Sequence, residues 1–383
     1  MSVSILDKSQ CCGCSACVNI CPKSCIDFIP DQLGFMYPKV DSDKCVECGL
    51  CEKVCQFKPD YDRTLRYLTA DVFAIRAKDQ EQLGKSQSGA VFYLLSEYIL
   101  EKGGVIYGAG FDDNYRVLHK RAQTSAQRDE LRYSKYVQSD VVSAFKSVKT
   151  DLEKGLSVMF TGTPCQVAGL QAYLRKQYPN LYTVDLVCHG VPSPKIWQDY
   201  IDYLKKLYRS ELVEVRFRNK QYGWNSCWET FKFANGKFLK RSTSNDMYFS
   251  HLSVRESCSN CPYTNINRVG DISMGDFWGW KGVMFNDNKG LSIIFVNSDN
   301  GRTLFDKISV NSDIVESNIN DCLQPQLTKP ITLNPRREEF LSDYEKHGFL
   351  YVARKYSDMR LKIRVRRFLS KIKQVIRKFL CRK

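Results

Sequence analysis

Eight cysteines near the N-terminus constrain this chain more than any other feature of its sequence. They form two copies of the spacing Cys-x-x-Cys-x-x-Cys-x-x-x-Cys, in which three thiolates on one tight loop can hold three corners of a cubane iron–sulfur cluster. The fourth ligand must come from elsewhere, and where two such runs occur the last cysteine of each run ligates the other cluster. The spacing therefore predicts two four-thiolate sets: Cys11, Cys14, Cys17 and Cys55, and Cys45, Cys48, Cys51 and Cys21.

Zinc binding and disulfide bonding account less well for these cysteines. A zinc ribbon separates two cysteine pairs by a longer gap, whereas each run here places four cysteines within eleven residues. A disulfide framework implies export, and residues 1–8 show no basic start followed by an apolar run. Cys12 and Cys25 fall outside the spacing and are interpreted as spare thiols, while Gln56 stands where a second proline is usual. Residues 1–60 resemble a bacterial-type 4Fe–4S dicluster ferredoxin, which implies a small α+β domain.

The length and cysteine content favour a multidomain protein of a reducing compartment. A chain of 383 residues can form two or three domains. Its most apolar stretch, residues 91–100, is short and is interrupted by Ser96 and Glu97, so the sequence predicts no transmembrane helix. Seventeen cysteines without a visible export signal are typical of the cytosol, and we expect a cytoplasmic protein.

The net charge of +15 is concentrated in a C-terminal tail. Residues 354–383 contain 13 Lys and Arg against one acid, Asp358, and the rest of the chain is nearly neutral. A fold that binds nucleic acid spreads basic charge over a folded face, so we expect no nucleic-acid partner. Apolar residues from Leu361 to Leu380 follow helical spacing, and we predict that residues 341–383 form a basic amphipathic tail. Such a helix suits the anionic inner face of a membrane, and the alternative is docking on the body or on a partner.

Beyond a polar linker at residues 57–68, the pattern predicts alternating strands and helices. Strands are predicted at 71–77, 105–107, 115–121, 156–161 and 181–187, and helices at 88–102, 141–154, 166–178 and 194–208. Successive strand–loop–helix units favour a mixed, partly parallel α/β sheet. Residues 211–218 and 228–239 are predicted to be antiparallel strands, the latter with a hairpin turn at Asn235-Gly236.

Four more cysteines lie where the predicted topology allows a third metal site. Cys165 and Cys188 each follow a predicted strand, and ligands bind at the carboxyl edge of open α/β sheets. Cys258 and Cys261 form a Cys-x-x-Cys pair. The set suits a third 4Fe–4S cluster. Because the pairs are far apart in sequence, spacing alone also allows a four-thiolate zinc site or cysteines that never meet.

Six motifs in order give these residues a family context. They are Ser86-Gln-Ser-Gly89, Ser134-Lys-Tyr-Val-Gln-Ser139, Phe160-Thr-Gly-Thr-Pro-Cys-Gln166, Val187-Cys-His-Gly190, Cys258-Ser-Asn-Cys-Pro262 and Asp271-Ile-Ser-Met-Gly-Asp276. Over roughly residues 70–325 the set resembles the family of coenzyme F420 hydrogenase/dehydrogenase beta subunits, and ordered motifs are more specific than any single one. The resemblance implies a flavoprotein domain at residues 70–340 that holds FAD and a third cluster on Cys165, Cys188, Cys258 and Cys261.

The same resemblance implies a set of FAD contacts. Ser86, Ser88 and Gly89 lie at the predicted start of a helix, where free N–H groups suit a phosphate, although such residues also serve merely as helix caps. Lys135 would place positive charge near the flavin ring, or else is a solvated surface lysine. The other implied contacts are Tyr136, Gln138, Ser139, Thr161 and Thr163. No Gly-x-Gly-x-x-Gly motif is present, so an ordinary NAD site is not supported.

Other residues near the predicted sheet edge are candidates for the substrate. His189 is either a proton donor to a reduced product or a structural histidine with hydrogen-bonded nitrogens. Arg216 and Arg218 either bind an anionic substrate or face solvent. The aromatic residues between Phe217 and Trp280 either line a pocket for a planar molecule or build the core, and the core is favoured.

Together these features predict an iron–sulfur flavoprotein oxidoreductase. Electrons would pass between the ferredoxin clusters, the third cluster and FAD, which would exchange a hydride with F420 or another small acceptor. The alternative is a non-catalytic electron-transfer protein that serves a partner enzyme as one of its subunits, and a structural zinc protein is a distant third. The expected partner is thus a redox protein or a small electron carrier.

Overall fold

The computed structural model describes residues 7–61 and 70–361. Its strands are β1 (Ile26–Pro30), β2 (Met36–Val40), β3 (Asp71–Ala77), β4 (Val105–Phe111), β5 (Val117–Ala122), β6 (Val158–Gly162), β7 (Leu181–Leu186), β8 (Leu212–Arg216), β9 (Glu229–Phe233), β10 (Phe238–Arg241), β11 (Ile272–Asp276), β12 (Ser292–Val296) and β13 (Ser312–Ser317). Its α-helices are α1 (Ala16–Ile20), α2 (Leu50–Lys53), α3 (Gln80–Gly84), α4 (Val91–Glu101), α5 (Ser125–Glu130), α6 (Ala144–Glu153), α7 (Pro164–Leu174), α8 (Pro194–Tyr208), α9 (Thr243–Phe249), α10 (Asp299–Ser309), α11 (Ile319–Cys322) and α12 (Arg337–Tyr356).

The cysteine-rich N-terminal region is a small α+β unit. Strands β1 and β2 pair antiparallel, and the short helices α1 and α2 follow the two cysteine loops. Both loops need left-handed backbone, which glycine supplies without a steric penalty at Gly13 (φ +69°) and Gly49 (φ +70°). This unit confirms the ferredoxin-like α+β domain predicted from the cysteine spacing.

An eight-stranded sheet forms the centre of the larger domain. Its order is β13-β3-β12-β11-β7-β6-β4-β5. The four strands β4, β6, β7 and β11 run parallel, and antiparallel pairs flank them on both sides. Central strands of this kind carry continuous apolar runs because both faces are covered, and every residue of β6 is buried. The mixed, partly parallel α/β fold is therefore confirmed.

The ferredoxin-like unit packs directly on this domain. Ala16 and Val54 belong to the same apolar cluster as Phe145, Phe160 and Val167. Helix α7 approaches the first cysteine loop so closely that a Cβ on Gly169 would lie 2.6 Å from the Cβ of Cys14. Glycine at this position thus allows the backbone contact that brings the two units together.

A third layer contains the sheet β10-β9-β8 and helices α8, α9 and α12. Helix α12 is broken at Gly348, which has φ +72°. The predicted start of the tail at residue 341 falls inside this helix, and Val352, Ala353 and Tyr356 are buried. Residues 341–358 therefore belong to the packed body. The amphipathic stretch beyond Leu361 lies outside the described residues.

Element boundaries differ from the predictions where backbone geometry intervenes. Strand β3 and helix α8 have the predicted bounds, but α4 begins at Val91 because Ser88 and Ala90 adopt left-handed conformations. Helix α7 begins earlier than predicted, at Pro164, since proline is favoured in the first helical turn and Thr163 caps it. Within the two described ranges, none of the helices has the length and apolarity needed to cross a bilayer.

Candidate functional site

The ferredoxin-like unit contains two cysteine-lined cavities whose membership matches the crosswise grouping. One cavity, which we call the first site, is lined by Cys11, Cys14, Cys17 and Cys55. The other, the distal site, is lined by Cys21, Cys45, Cys48 and Cys51. Soft thiolates in sets of four are the donors that iron–sulfur clusters use. Among the described residues, no three Cys, His, Asp or Glu side chains converge as a single metal ion would require.

The two cysteines interpreted as spare thiols also lie at these cavities. Cys12 lines the first site, and Cys25 lines the distal site with its sulfur 3.4 Å from that of Cys21. The positions of Cys12 and Cys25 depend on the conformation of the cysteine loops, which the spacing of the cysteines in the sequence does not determine.

The remaining predicted cysteines meet at a third cavity, the core site. Cys165 lies in the first turn of α7, Cys188 follows β7, and Cys258 and Cys261 lie at a short 3-10 helix. Burial raises the pKa of Cys188 to about 12 and that of Cys258 to about 11. A metal centre at such thiols would offset this by deprotonating its ligands. The donor set therefore fits a third cluster, although the pairs are far apart in sequence.

A larger cavity, the cofactor cavity, opens at the carboxyl ends of β6, β7 and β11. Its volume of about 470 Å³ is in the range of small-molecule and cofactor sites. Of the residues predicted to contact FAD, it is lined by Ser86, Ser88, Lys135, Tyr136, Ser139, Thr161 and Thr163. Gly89 and Gln138 do not line it.

The loop before α4 is held from behind by the sheet. Ser88 Oγ donates to the Leu291 carbonyl (2.6 Å), and the Gly89 N–H donates to Ser292 Oγ (2.8 Å). A Cβ on Gly89 would lie 2.2 Å from the carbonyl oxygen of Ile75, so glycine is required there for packing. The Gly89 N–H is engaged and does not face the cavity.

Gln87, between these residues, was not predicted from the sequence. It lines the cofactor cavity, and both its Nε2 and its Oε1 are buried without a hydrogen-bond partner among the described residues. Buried polar atoms are nearly always satisfied, so this amide fits a polar group of a ligand in the cavity. No pattern in the sequence distinguishes Gln87 from an ordinary loop residue.

Of the Lys and Arg residues that line the cofactor cavity, Lys135 is the one without an ion pair among the described residues. Its Nζ donates to the carbonyls of Glu130 (3.1 Å) and Arg132 (2.6 Å), both neutral acceptors. Burial, together with the charge of Lys120, lowers the pKa of Lys135 to about 7. A bound anion would restore its positive charge.

His119, which was not predicted either, lines the cofactor cavity and orders part of its wall. The Thr161 carbonyl can only accept, so His119 Nε2–H donates to it (2.8 Å), and Nδ1 accepts from Ser139 Oγ (2.6 Å). Burial lowers the pKa of His119 to about 4, which keeps it neutral in this tautomer. Two of the predicted contacts, Ser139 and Thr161, are thus positioned by one histidine.

His189 stands between the core site and the cofactor cavity and lines both. His251 Nδ1–H donates to the Thr332 carbonyl (2.8 Å), so its Nε2 accepts from His189 Nε2–H (2.9 Å). His189 Nδ1 then accepts from the Gln326 amide. Burial lowers the pKa of His189 to about 4. Both of its nitrogens are engaged, and His251 was not anticipated from the sequence.

The basic and aromatic candidates divide between cavity and core. Arg218 lines the cofactor cavity but is paired with Asp276, whereas Arg216 stacks on Tyr133 at 3.5 Å and does not line it. Trp278 lines the cavity at its exposed end, and Phe231 and Phe277 are buried in the core.

The four cavities form a continuous series. Cys17 of the first site packs against the apolar cluster that includes Cys51 of the distal site. Cys12 and Phe57 line both the first site and the core site, and the segment 188–191 lines both the core site and the cofactor cavity. Where the first site meets the core site, Gln56 Nε2 donates to Cys12 Sγ (3.0 Å) and to the Cys165 carbonyl (3.2 Å).

A ferredoxin-like unit joined to a mixed α/β domain defines an iron–sulfur protein of the redox class. The family model for the C terminus of the coenzyme F420 hydrogenase/dehydrogenase beta subunit matches residues 155–321, and that for the 4Fe-4S dicluster domain matches residues 10–58. Residues 155–321 therefore resemble the C-terminal part of these beta subunits, and the chain carries an N-terminal 4Fe–4S dicluster domain, as the motifs indicated. The predictions of 4Fe–4S binding and of a redox role are confirmed.

Individual relatives are distant. The chain is 24% identical over 361 residues to the coenzyme F420-dependent sulfite reductase of Methanocaldococcus jannaschii, a match that covers 89% of this chain and 53% of the relative. It thus spans about half the length of that protein. It is 20% identical over 338 residues to the F subunit of the F420H2 dehydrogenase of Methanosarcina mazei, covering 82% of this chain and 86% of the relative. A polypeptide of the F420-reducing NiFe hydrogenase complex of Methanosarcina barkeri aligns with a TM-score of 0.45 at 20% identity, covering 76% of this chain and 91% of that one.

Proposed function

We propose that this chain is an FAD-dependent iron–sulfur oxidoreductase that exchanges electrons with a small two-electron carrier of the F420 type. The observation that carries the proposal is the series of cavities, because each shares wall residues or an apolar cluster with the next. When bound, the clusters would exchange single electrons, and the flavin would exchange them in pairs with an organic molecule. The named activities of the two curated relatives support F420 as the carrier to test first.

The chain's own residues have defined tasks in this proposal. The four cysteines at each of the distal, first and core sites hold the clusters. Helix α7 joins two of these sites, since Cys165 lies at its start and Gly169 packs on Cys14. Gln56 fixes the boundary between those sites through hydrogen bonds to both.

In the cofactor cavity, Gln87 and Lys135 bind polar and anionic parts of the ligand. Their side chains face the cavity with unused amide atoms and without a counter-ion, respectively. Tyr136 packs edge-on against Phe217 and Phe249, which fixes one apolar wall. His119 holds Ser139 in place in the cavity wall.

The arrangement at His189 supports a positioning task more directly than proton donation. Its Nε2 proton is held by His251 and its Nδ1 by Gln326. His189 therefore keeps the wall between the core site and the cofactor cavity rigid. Delivery of a proton into the cavity would require its ring to leave one of these partners.

The exposure of the distal site supports a role in receiving electrons from another protein. Cys48 is exposed there, and so is the neighbouring Val46, so a redox protein can approach this end of the series. A partner at this surface is compatible with both the enzyme and the alternative of a non-catalytic electron-transfer protein. The large cavity at the other end favours the enzyme.

The test is turnover by the isolated, anaerobically purified chain. After reduction with a low-potential chemical donor, it should reduce oxidised F420 or another small acceptor in more than one turnover per chain. Electron exchange with a protein partner, but with none of a panel of small acceptors including F420, flavins and quinones, would reject the enzyme in favour of the non-catalytic electron-transfer protein.

A further inference from the structure

Arg255 spans the boundary between the ferredoxin-like unit and the larger domain. Its backbone is fixed in the larger domain, because its N–H donates to the Val191 carbonyl (2.9 Å) and its carbonyl accepts from the N–H of Cys258 (3.1 Å). Its side chain is fully buried and reaches the other unit, where Nε donates to the Cys11 carbonyl (2.7 Å) and Nη2 to the Met36 carbonyl (2.9 Å).

The guanidinium has no carboxylate partner within ion-pair distance among the described residues. Its third acceptor is the amide oxygen of Gln138 (2.9 Å from Nη1), and its faces meet the rings of Tyr37 and Phe35. Arg268, buried to a similar degree in the same region, is by contrast paired with Asp185. A buried cation without an anion is costly, so a balancing negative charge is expected close by.

The nearest anionic groups would be the cysteine ligands of two cluster sites. Nη2 lies 3.6 Å from Cys11 Sγ at the first site, and Arg255 also lines the core site with Cys165 and Cys258. A Cβ on Gly13 would lie 2.8 Å from Nη1, so the loop is shaped to admit this guanidinium. Arg255 does not line the distal site, whose Cys48 is exposed to solvent.

We propose that Arg255 is a fixed cation that raises the reduction potentials of the first and core sites relative to the distal site. The proposal rests on the proposed function in one respect, namely that clusters occupy these sites. Reduction adds one negative charge to a cluster, and a nearby positive charge in a low-dielectric interior stabilises that reduced form. With clusters bound at these sites, the charge of Arg255 would favour transfer of an electron from the exposed distal site to the domain boundary, and that transfer would change no bond and no proton.

The test compares two substitutions in the full-length, cluster-loaded protein. Arg255→Gln removes the charge and keeps a donor, whereas Arg255→Lys keeps the charge and loses the planar fork. Potentials are measured by redox titration with paramagnetic resonance detection, and Cys48→Ala identifies the signal of the distal site. The matched control is Arg128→Gln, which removes another buried guanidinium that is paired with Glu97 and lies outside all three sites.

We expect Arg255→Gln to shift the oxidised-to-reduced ratio of the first or core cluster at least tenfold toward the oxidised form. That shift corresponds to a potential lower by about 59 mV for one electron. The distal potential should stay unchanged, Arg255→Lys should retain most of the wild-type potential, and Arg128→Gln should change none. Unchanged potentials at both neighbouring sites in Arg255→Gln, or equal losses in the Gln and Lys variants, would overturn the inference.

The outcomes separate this inference from the proposed function. Three clusters in the wild type with unchanged potentials in Arg255→Gln would reject only the tuning role. A wild-type chain without a core cluster would reject the proposed series of sites and this inference with it. If Arg255→Gln fails to load clusters, the inference is tested by the reduction potentials of the wild-type protein. A first-site potential at or below the distal potential would overturn the inference, and a higher first-site potential would support it.

Discussion

At the scale of single residues, substitution of Lys135 tests the proposed FAD site directly. Its side chain lines the cofactor cavity with only neutral carbonyl partners, so an anionic ligand gains a charge-assisted contact. We expect Lys135→Gln to weaken FAD rebinding to flavin-depleted protein by roughly 10- to 100-fold, from the 1.5–3 kcal/mol typical of hydrogen bonds to charged groups.

The control for this prediction is Lys146→Gln. Lys146 is an exposed basic residue of α6 that does not line the cavity. Fluorescence titration with FAD measures both variants. Equal affinity of the Lys135 variant and the wild type would exclude the assigned contact.

The buried carboxyl of Glu229 makes the stability of the folded chain depend on pH. Burial raises the pKa of this carboxyl to about 8 from an ordinary value of 4.5, although Ser244 and Asn245 donate hydrogen bonds to it. The folded chain therefore keeps a proton that the unfolded chain releases, and between these two values stability falls as pH rises. In Glu229→Gln the neutral amide removes this contribution.

Thermal unfolding from about pH 5 to about pH 9 measures the effect. The decline in melting temperature across this window should be smaller in Glu229→Gln than in the wild type by about 2–4 °C for each kcal/mol removed. Glu345→Gln, at an exposed position of α12, should leave the decline unchanged. An identical decline in all three proteins would show that Glu229 is ionised in the folded state.

The sequence predicted the residues whose chemistry is local. The crosswise cysteine sets follow from ligand spacing, because three thiolates of one run must lie on a single loop. His251 and Arg255 were missed because each owes its role to contacts with segments far away in the chain, and Gln87 was missed because no pattern distinguishes it from an ordinary loop residue. Gln138 matched a flavin-contact motif, yet its amide bonds to Cys12 and Arg255 at the domain boundary, a placement that only the packing of two units creates.

At the scale of elements, helix α7 joins the first site to the core site. Because a Cβ on Gly169 would lie 2.6 Å from the Cβ of Cys14, Gly169→Ala must displace either the helix or the first cysteine loop. We expect this variant to lose part or all of the first-site cluster and to melt earlier. Iron content and the paramagnetic signal of that site are the measurements.

Gly84→Ala provides the matched helix control. A Cβ at Gly84 meets no atom within 4 Å, and alanine is the better helix former by up to about 1 kcal/mol. This variant should keep all its iron and be equally or more stable. Full retention of the first-site cluster in Gly169→Ala would contradict the close approach of α7.

The parallel part of the sheet was predictable because β6 and β7 are apolar runs followed by helices. The strands that complete the sheet, β11, β12 and β13, were not predicted. These strands come late in the sequence but pair with the earlier strands β7 and β3. Pairing between segments so far apart in the chain leaves no local sequence pattern. Without them, the sequence offers no means of placing the Cys258 and Cys261 pair beside Cys165.

At the scale of the whole molecule, the basic C-terminal stretch remains a prediction. Ten Lys and Arg lie within residues 362–383, which are outside the described residues. Each basic residue near an anionic bilayer contributes about 1 kcal/mol, screened by salt. We expect the full chain to co-sediment with anionic vesicles and not with neutral ones at low salt.

The comparison chain for this experiment should end at Leu361. A shorter one would cut into the packed body, where Thr243 Oγ1 donates to the buried Asp358 (2.7 Å). Loss of anionic binding in the truncated chain supports the membrane hypothesis. Equal sedimentation of both chains would eliminate it.

The series of cluster sites is tested most directly by the iron and sulfide content of anaerobically purified protein. We predict about twelve irons per wild-type chain, as three cubanes of four. A chain with Cys188→Ala and Cys258→Ala should fall to about eight, while Cys12→Ala, which removes a thiol assigned to no cluster, should remain near twelve. About eight irons in the wild type, or stoichiometric zinc in place of iron, would contradict a series of three clusters.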